Sequence, residues 1–379
     1  MKIALVHDDL IQQGGAEKLL LAMHQLWPEA PIFTAMATHE WAKRCKKKEI
    51  VIKTSFMQKL PFKPQLYKLY FWLYPLAFES FNFDDFDVVL SSSARFAHGI
   101  ITKPATLHVC YMNTPGRMWW EANSYFQNRP LVKLLLLPFI SYLRLWDYAA
   151  SGRVDYFIAN SKTPQKRIKK YFGREAEVVY PFAEEKQQLT NKKKQSAEEF
   201  CDYFLIVTRL VAWKKVEVAI EACQKLAVKL VIVGEGPDKA RLCRLAGDGQ
   251  LITFVGRVND KTLSELYQNS KAVIITQEED FGIVAVEAAS FYKPVLAFRG
   301  GGNLETVVAG KTGEFFYPQT AEALTTLING FNVNLYKNTA PFEEISRRFS
   351  KDRFSVELKG AVEGAVAKFY DLHHLKKNS

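Results

Sequence analysis

Two carboxylates, Glu279 and Glu287, stand eight residues apart in the run Glu279-Asp280-Phe281-Gly282-Ile283-Val284-Ala285-Val286-Glu287. Ionised carboxylates only accept hydrogen bonds, so a pair of them suits a polyhydroxylated ligand such as a sugar and its ribose. Upstream, Thr208-Arg209-Leu210-Val211-Ala212-Trp213-Lys214 places a guanidinium and an ammonium close together. Arg grips phosphate oxygens with two parallel bonds and Lys adds a compact charge, so Arg209 and Lys214 suit a diphosphate; the plain alternative is two solvated loop cations. Two glycine clusters, Gly14-Gly15-Ala16-Glu17 and Gly300-Gly301-Gly302-Asn303-Leu304-Glu305, each fall between a strand pattern and a helix pattern. Backbone N–H groups at such a junction can hold an anion or a hydroxyl. The plain alternatives are a simple turn at Gly14-Gly15 and a helix cap at Asn303. Gly234-Glu235-Gly236-Pro237 reads as an ordinary turn. Asp84-Asp85-Phe86-Asp87 reads as a solvated loop, and the absence of any His-x-x-x-His pair argues against zinc. No Gly-x-Ser-x-Gly elbow occurs, which disfavours a serine hydrolase.

The elements that would position these groups are strands alternating with helices. Apolar, β-rich runs occur at Lys2–His7, Asp87–Ser91, Leu107–Met112, Tyr156–Asn160 and Glu177–Tyr180. A second set comprises Phe204–Thr208, Leu230–Gly234, Ile252–Gly256, Ala272–Thr276 and Val295–Phe298. Helical patterns such as Val216–Leu226, Thr262–Asn269 and Thr320–Leu327 lie between them, and Phe354–Leu375 is a helical tail. Alternation of this kind implies parallel sheets covered on both faces, hence an α/β fold. The polar stretch Glu184–Glu199, with Lys192-Lys193-Lys194, reads as a linker between two such domains. The pattern predicts Glu279 in the loop after Ala272–Thr276, Phe281-Gly282 at the turn, and Glu287 two turns into the following helix. Ligands bind at that edge of open parallel sheets, and two α/β domains predict a cleft between their strand ends.

The chain has 379 residues, long enough for two cores, with 48% hydrophobic and 24% charged residues. Cys45, Cys110, Cys201, Cys223 and Cys243 form no Cys-x-x-Cys pair, which fits free thiols in a reducing compartment. No signal peptide is read at Met1–Val6, and the most apolar run, Leu131–Ile140, is too short for a membrane span and contains Lys133 and Pro138. The net charge of +11 is lopsided: residues 1–180 hold 24 Lys+Arg against 15 Asp+Glu, the rest 27 against 25. A basic half favours an anionic surface or a phosphate-bearing acceptor. Nucleic acid is disfavoured, because no zinc-finger, RNP-like or helix-turn-helix cue is present. Residues 56–83 are crowded with Phe56, Phe62, Tyr67, Tyr70, Phe71, Trp72, Tyr74, Phe78, Phe81 and Phe83, interleaved with Lys59, Lys63 and Lys68. Together with Pro130–Tyr148 they read equally as membrane-interface helices or as core helices with exposed lysines.

In order and in combination, Gly14-Gly15-Ala16-Glu17, Arg209 and Lys214, Gly256-Arg257-Val258, Glu279-x7-Glu287, Pro294-Val295 and Gly301-Gly302 with Glu305 resemble family 4 of the retaining glycosyltransferases, across nearly the whole chain. Leu107–Arg117, Leu143–Asp147 and Asp155–Ser161 are similar to the branch containing bacterial O-antigen mannosyltransferases, enzymes of polysaccharide biosynthesis. The resemblance implies the GT-B fold, two Rossmann-like domains facing across a cleft. It implies an acceptor domain over 1–183, a donor domain over 184–350, and a C-terminal helix, 351–379, crossing back to the first domain. It also implies a metal-independent, retaining hexosyltransferase that uses a nucleotide sugar, GDP-mannose first, with no cofactor. The acceptor would be a lipid-linked saccharide or other glycan. The enzyme would be cytoplasmic and peripheral on the cytoplasmic, anionic face of a membrane. Arg209 and Lys214 would neutralise the diphosphate leaving group, Glu279 would hold donor-sugar hydroxyls, and Glu287 the ribose. Gly256, Arg257 and Val258 would surround the base; Phe281, Gly282 and Ile283 would face the donor; Gly14 and Gly15 would let their loop approach the phosphates. Two departures stand out: Asn113-Thr114-Pro115 where relatives have His-Thr-Pro, and Lys215 where they have Gly. The readings that compete are a UDP-sugar transferase, a sugar-nucleotide epimerase of the same fold, and a non-catalytic sugar-nucleotide-binding subunit.

Overall fold

The computed structural model describes residues 1–12, 14–61, 69–126, 130–183 and 203–377, with side chains to residue 371. The predicted stretch Glu184–Glu199, together with Cys201, Phe62, Tyr67, Lys63 and Lys68, lies outside the described residues. Two units emerge, one formed by Met1–Pro181 and Lys351–Ser379, the other by Phe182–Ser350.

The first unit is built on seven parallel strands: β1 (Ile3–His7), β2 (Ile32–Thr34), β3 (Ile52–Thr54), β4 (Val88–Ser93), β5 (Leu107–Met112), β6 (Tyr156–Ala159) and β7 (Ala176–Val178). Their order is β3-β2-β1-β4-β5-β6-β7, so the direction of progression reverses between β1 and β4. Every residue of β1, β4 and β5 is buried, because helices cover both faces. Four of those helices are α1 (Gly15–Leu26), α2 (Tyr74–Glu79), α3 (Pro130–Ser151) and α4 (Lys162–Phe172). The last helix, α8 (Lys351–Lys377), belongs to this unit as well. It packs on α1 and β5, places Phe354 edge-on to Tyr111 at 6.1 Å, and sends Arg353 to the carbonyls of Tyr180 and Pro181 at 2.7 and 3.0 Å.

The aromatic block divides. Phe71, Tyr74, Phe78 and Phe83 are core residues; Tyr74 stacks on Phe96 at 4.8 Å, and Phe33 gathers Phe81, Phe83 and Phe86 around itself. Trp72 and Leu76 stay exposed. Asp87, in the acidic run, accepts the backbone N–H of Lys2 at 2.7 Å and so pins the start of β1.

The second unit has six parallel strands: β8 (Tyr203–Val207), β9 (Lys229–Val233), β10 (Ile252–Gly256), β11 (Ala272–Ile275), β12 (Val295–Phe298) and β13 (Gly313–Phe316). Their order is β10-β9-β8-β11-β12-β13, with the reversal between β8 and β11. Helices α5 (Val216–Lys225), α6 (Asp260–Asn269) and α7 (Ile283–Ser290) carry or flank the candidate site. One core gathers around Phe204, Ile206, Ile232 and Leu296, the other around Leu205, Val273, Ile275 and Ala297, as alternation along each strand requires.

Two unpredicted strands, β2 and β3, carry three residues each, too few to show a period in the sequence, and a third, β13, is the short run Gly-Glu-Phe-Phe with a charge inside it. The run Glu177–Tyr180 is displaced: the strand is Ala176–Val178 and the chain then leaves through Pro181. Among the described residues no helix is long and apolar enough to cross a membrane.

Candidate functional site

In the second unit the loops after β8 and β11 flank the point where strand order reverses, the place where open parallel sheets leave a crevice. The chain leaves β8 through Arg209, which is exposed, and makes a short turn over Ala212–Lys214. Lys215 then starts α5 with φ +53°. Lys214 is buried, and its Nζ sits 2.7 Å from Oε1 of Glu279 in the loop after β11. The two loops are tied a second time by Thr276 Oγ1, which donates to the carbonyl of Lys214 at 2.7 Å. The Gln277 amide also donates to Glu279 Oε1. A carboxylate has about four lone-pair sites, so two donors on one oxygen leave Glu279 capacity for ligand hydroxyls. The Lys214 ammonium also lies 4.3 Å from the centre of the Trp213 ring, a cation–π contact that holds it in the crevice. Thr276, Gln277 and Trp213 went unrecognised in the sequence, although Thr276 ends, and Gln277 directly follows, the strand pattern that locates Glu279.

The quartet Gly234-Glu235-Gly236-Pro237 is more than the ordinary turn expected. Leu210 N–H donates to the Glu235 carbonyl at 3.0 Å, and Asp238 N–H to the Leu210 carbonyl at 3.1 Å. A Cβ on Gly234 would lie 1.8 Å from the Thr208 carbonyl oxygen. The glycines let this turn press against the loop that carries Arg209 and fix its course. Gly256 ends β10 and its carbonyl accepts from Gly234 N–H at 2.8 Å, joining the same edge. Arg257 is exposed, and Val258 packs partly into the core.

The loop at Gly300–Gly302 also differs from expectation. Gly302 N–H donates to the Glu279 carbonyl at 2.7 Å, and Gly301 pairs with Glu279 in a short parallel bridge. A Cβ on Gly301, at φ +58°, would meet the Glu279 carbonyl oxygen at 2.3 Å; on Gly302 it would meet the Phe281 oxygen at 2.4 Å. The glycines therefore serve as a floor under the acidic loop, and the Gly302 N–H is committed to protein. Nor does Asn303 cap a helix: it is buried, and its amide donates to the carbonyls of Gln277 and Phe298 at 2.8 and 2.9 Å, stitching β11 to β12.

Gly282, at φ +91°, turns the chain into α7. The Phe281 ring is buried edge-on to Phe349 at 5.1 Å, and Ile283 is the half-buried first residue of the helix. Glu287 falls in the second turn of α7 and accepts from the Tyr267 hydroxyl at 2.8 Å. Burial first, and the Glu287 charge second, hold the Tyr267 phenol well above its ordinary pKa, so it remains a donor. Tyr267 is in turn stacked on Phe291 at 5.2 Å, which fixes the orientation of the acid.

Gly14, Gly15 and Asn113 stand at strand ends of the first unit. Gly14 N–H donates to the Glu17 carboxylate at 2.8 Å, so this N–H is occupied by an internal acid and not open to an anion as expected. Burial raises the Glu17 pKa, a shift that His7 partly offsets. A Cβ on Gly15 would meet nothing within 4 Å, so protein packing does not demand that glycine. Asn113 is half-buried, its backbone N–H held by the Ser93 carbonyl at 2.7 Å and its amide 3.4 Å from Ser92 Oγ and the Ser93 carbonyl.

Sequence reasoning missed the acids at the reversal point of this sheet. Asp8 accepts the N–H groups of Ala94, Phe96 and Ala97 at 2.8, 2.7 and 2.8 Å. Asp9 pairs with Arg95 at 2.5 Å and accepts from the Tyr74 hydroxyl at 3.0 Å. The partners lie 65 to 89 residues away, beyond any local pattern. Deeper in the unit, Asp147 Oδ2 accepts from the indoles of Trp119 and Trp120 at 2.9 and 2.5 Å, while Asp147 Oδ1 lies 3.0 Å from His98 Nε2.

Residues 187–334 match the family model for glycosyl transferases group 1. The chain is 30% identical over 167 residues to an uncharacterized glycosyltransferase of Methanocaldococcus jannaschii, covering 40% of this chain and 42% of that protein. It is 28% identical over 206 residues to O-antigen chain mannosyltransferase C of Escherichia coli, covering 52% of each. The chain thus spans about half the length of these curated relatives. The crystal structure of Anabaena HepE in complex with UDP aligns over 96% of this chain and 100% of that one, with a TM-score of 0.69 and 19% identity. That likeness is one of fold: two Rossmann-like units, the GT-B fold.

Proposed function

We infer that this chain, whose residues 187–334 match the family model for glycosyl transferases group 1, is a retaining hexosyltransferase that moves mannose from GDP-mannose to a lipid-linked saccharide. The second unit takes the donor and the first the acceptor, on the cytoplasmic side of a membrane. The observation that carries this reading is the Lys214–Glu279 pair, 2.7 Å apart across the reversal point of the second sheet. It sets a cation for the diphosphate against an acceptor for sugar hydroxyls. As the bond from the anomeric carbon to the diphosphate breaks, charge grows on the departing phosphate oxygen. Arg209 and Lys214 meet that charge in place, with no metal in the step; preorganised charge of this kind is usually the largest catalytic term. The acceptor oxygen bonds to the anomeric carbon on the face the diphosphate leaves, and its proton passes to the departing phosphate. Glu287, oriented by Tyr267, holds the ribose. Gly256, Arg257 and Val258 border the base, the backbone at Phe281, Gly282 and Ile283 faces the donor, and Gly15 leaves room beside the acceptor. Asn113 positions substrate by hydrogen bonding in place of the histidine of relatives.

A thermal-shift panel of nucleotide sugars tests this reading. A ligand at about 100 times its Kd adds about 2.7 kcal/mol to the stability of the folded state. GDP-mannose is expected to raise the melting point most, and mannosyl transfer to a lipid-linked saccharide should follow. A panel in which no sugar nucleotide raises it overturns the proposal. A UDP-sugar donor is the second reading, favoured by the UDP in the HepE structure; a shift with UDP-glucose and not GDP-mannose would select it. An epimer formed from donor alone would mark an epimerase, and binding without turnover a non-catalytic subunit.

A further inference from the structure

Helix α3 runs 22 residues, and none of its exposed positions carries a charge. Leu131, Leu134, Leu135 and Leu145 are 63–80% exposed, with Tyr142 and Tyr148 beside them. Of its three charged residues Asp147 is buried under two indoles, Arg144 is half-buried and donates to the Trp119 carbonyl, and Lys133, half-buried near the start of the helix, bonds Asn123 at the surface. The opposite face, with Ile140, Leu143, Asp147 and Ala150, is buried in the unit, so the helix lies along the surface for about 33 Å at 1.5 Å per residue. A contiguous apolar strip of that size marks an interaction site.

The neighbour of α3 indicates what covers it. Trp120 stacks on Tyr171 of α4 at 4.7 Å while its indole N–H bonds Asp147 of α3, so the two helices are locked side by side. The exposed positions of α4 include Lys162, Lys166 and Lys170, and also Lys169, which is ion-paired with Glu175. The unit as a whole, residues 1–181 and 351–379, holds 30 Lys+Arg against 19 Asp+Glu, whereas residues 182–350 hold 21 of each. The entire net charge of the chain thus resides in the unit with the uncharged helix. Two copies joined through α3 would crowd two lysine rows together, which argues against a self-interface.

We propose that the outer face of α3 docks flat into an anionic lipid surface, its leucines among the acyl chains and the α4 lysines on the headgroup phosphates. Tyrosines with one apolar face and one polar tip suit that boundary. The proposal takes its purpose, delivery of a lipid-linked acceptor, from the transfer reading. Its test does not depend on that reading, because membrane binding is measured with no donor present.

Flotation of the full chain is run with phosphatidylcholine vesicles and with equimolar phosphatidylcholine and phosphatidylglycerol vesicles. Binding to the anionic vesicles, weakened by salt, is expected. The Leu135→Glu/Leu145→Glu variant should bind at least about tenfold more weakly with an unchanged melting point, and Lys166→Glu/Lys170→Glu should show a similar loss. Leu135→Trp supplies a second readout, a blue shift of emission on the anionic vesicles only. Absence of wild-type binding at low salt, or binding indifferent to Leu135→Glu/Leu145→Glu, overturns the proposal. So does a wild-type dimer in light scattering that the same variant dissociates, since a second copy would then own this face.

Discussion

Replacing Lys214 by Met keeps the length of the side chain and deletes its charge, which makes Lys214→Met the sharpest probe of the donor crevice. Lys214 and Glu279 are joined at 2.7 Å with side chains only 11% and 16% accessible. Without the ammonium, the Glu279 carboxylate keeps the Gln277 amide but loses its charged partner. Stripping one partner from a fully buried pair costs about 3–5 kcal/mol, and a single hydrogen bond to a charged group is worth about 1.5–3 kcal/mol. Residual solvent access at both groups places this site near the lower range, about 2 kcal/mol. For a unit of this size that corresponds to a fall in melting temperature of about 4–8 °C. On the proposed transfer reading, in which the charge also faces the leaving diphosphate, turnover should fall much further, by about 10²–10³-fold. Scanning calorimetry and single-turnover kinetics read the two effects separately. Glu279→Gln completes a cycle: the double variant should be more stable than the sum of the single losses predicts. A Lys214→Met enzyme with wild-type melting and turnover within about threefold would refute the argument.

Lys215 holds a left-handed backbone, φ +53°, where an L side chain costs about 1 kcal/mol. Lys215→Gly should therefore raise the melting temperature by about 2–4 °C, and an accompanying rise in donor KM would show that the lysine also touches phosphate. His108 is buried and pushed down to about 3 by burial, so the folded state keeps it neutral while the unfolded chain titrates near 6.5. Its contribution to stability is present above pH 6.5 and is lost as pH falls from there toward 3, at up to about 1.4 kcal/mol per pH unit; melts from pH 7 to 5 should show a shallower decline in His108→Gln. Tyr267→Phe removes the donor on Glu287 and should weaken nucleotide affinity about fivefold to tenfold by calorimetry, with kcat unchanged. Asn113→Ala should lower turnover with no change in melting, because its amide is held only by contacts of 3.4 Å.

Strands of four to six mostly apolar residues were legible from residue order alone. Leu107–Met112, Ile252–Gly256 and Val295–Phe298 are strands to the residue. Three-residue strands such as Ile32–Thr34 and Ile52–Thr54 were not, because alternation over three positions is no signal. Residue types pointed to Glu279 and Lys214 separately. Their pairing spans 65 residues and follows only once β8 and β11 lie side by side. Glycine clusters were visible, but what occupies the space beside each was not: Gly301 and Gly302 underlie protein, while Gly15 borders open space. The aromatic block could not be divided between core and surface by composition, since its inward and outward rings are the same residue types.

The Asp8 staple across β1 and β4 gives the first sheet a reversal point held by acids, where the second has a lysine–glutamate pair at the equivalent topological position. One reversal point holds Arg209 and Lys214 with Glu279; the other holds Asp8, Asp9 and the nearby acid Glu17, with Arg95 drawn into an internal pair. These acids are buried and met from within the unit, Asp8 by three backbone N–H groups and Asp9 by Arg95 and the Tyr74 hydroxyl. Under the proposed transfer reading this asymmetry gives a duplicated architecture its polarity, with the donor diphosphate expected at the turn that carries Lys214 and not at the one that carries Asp8.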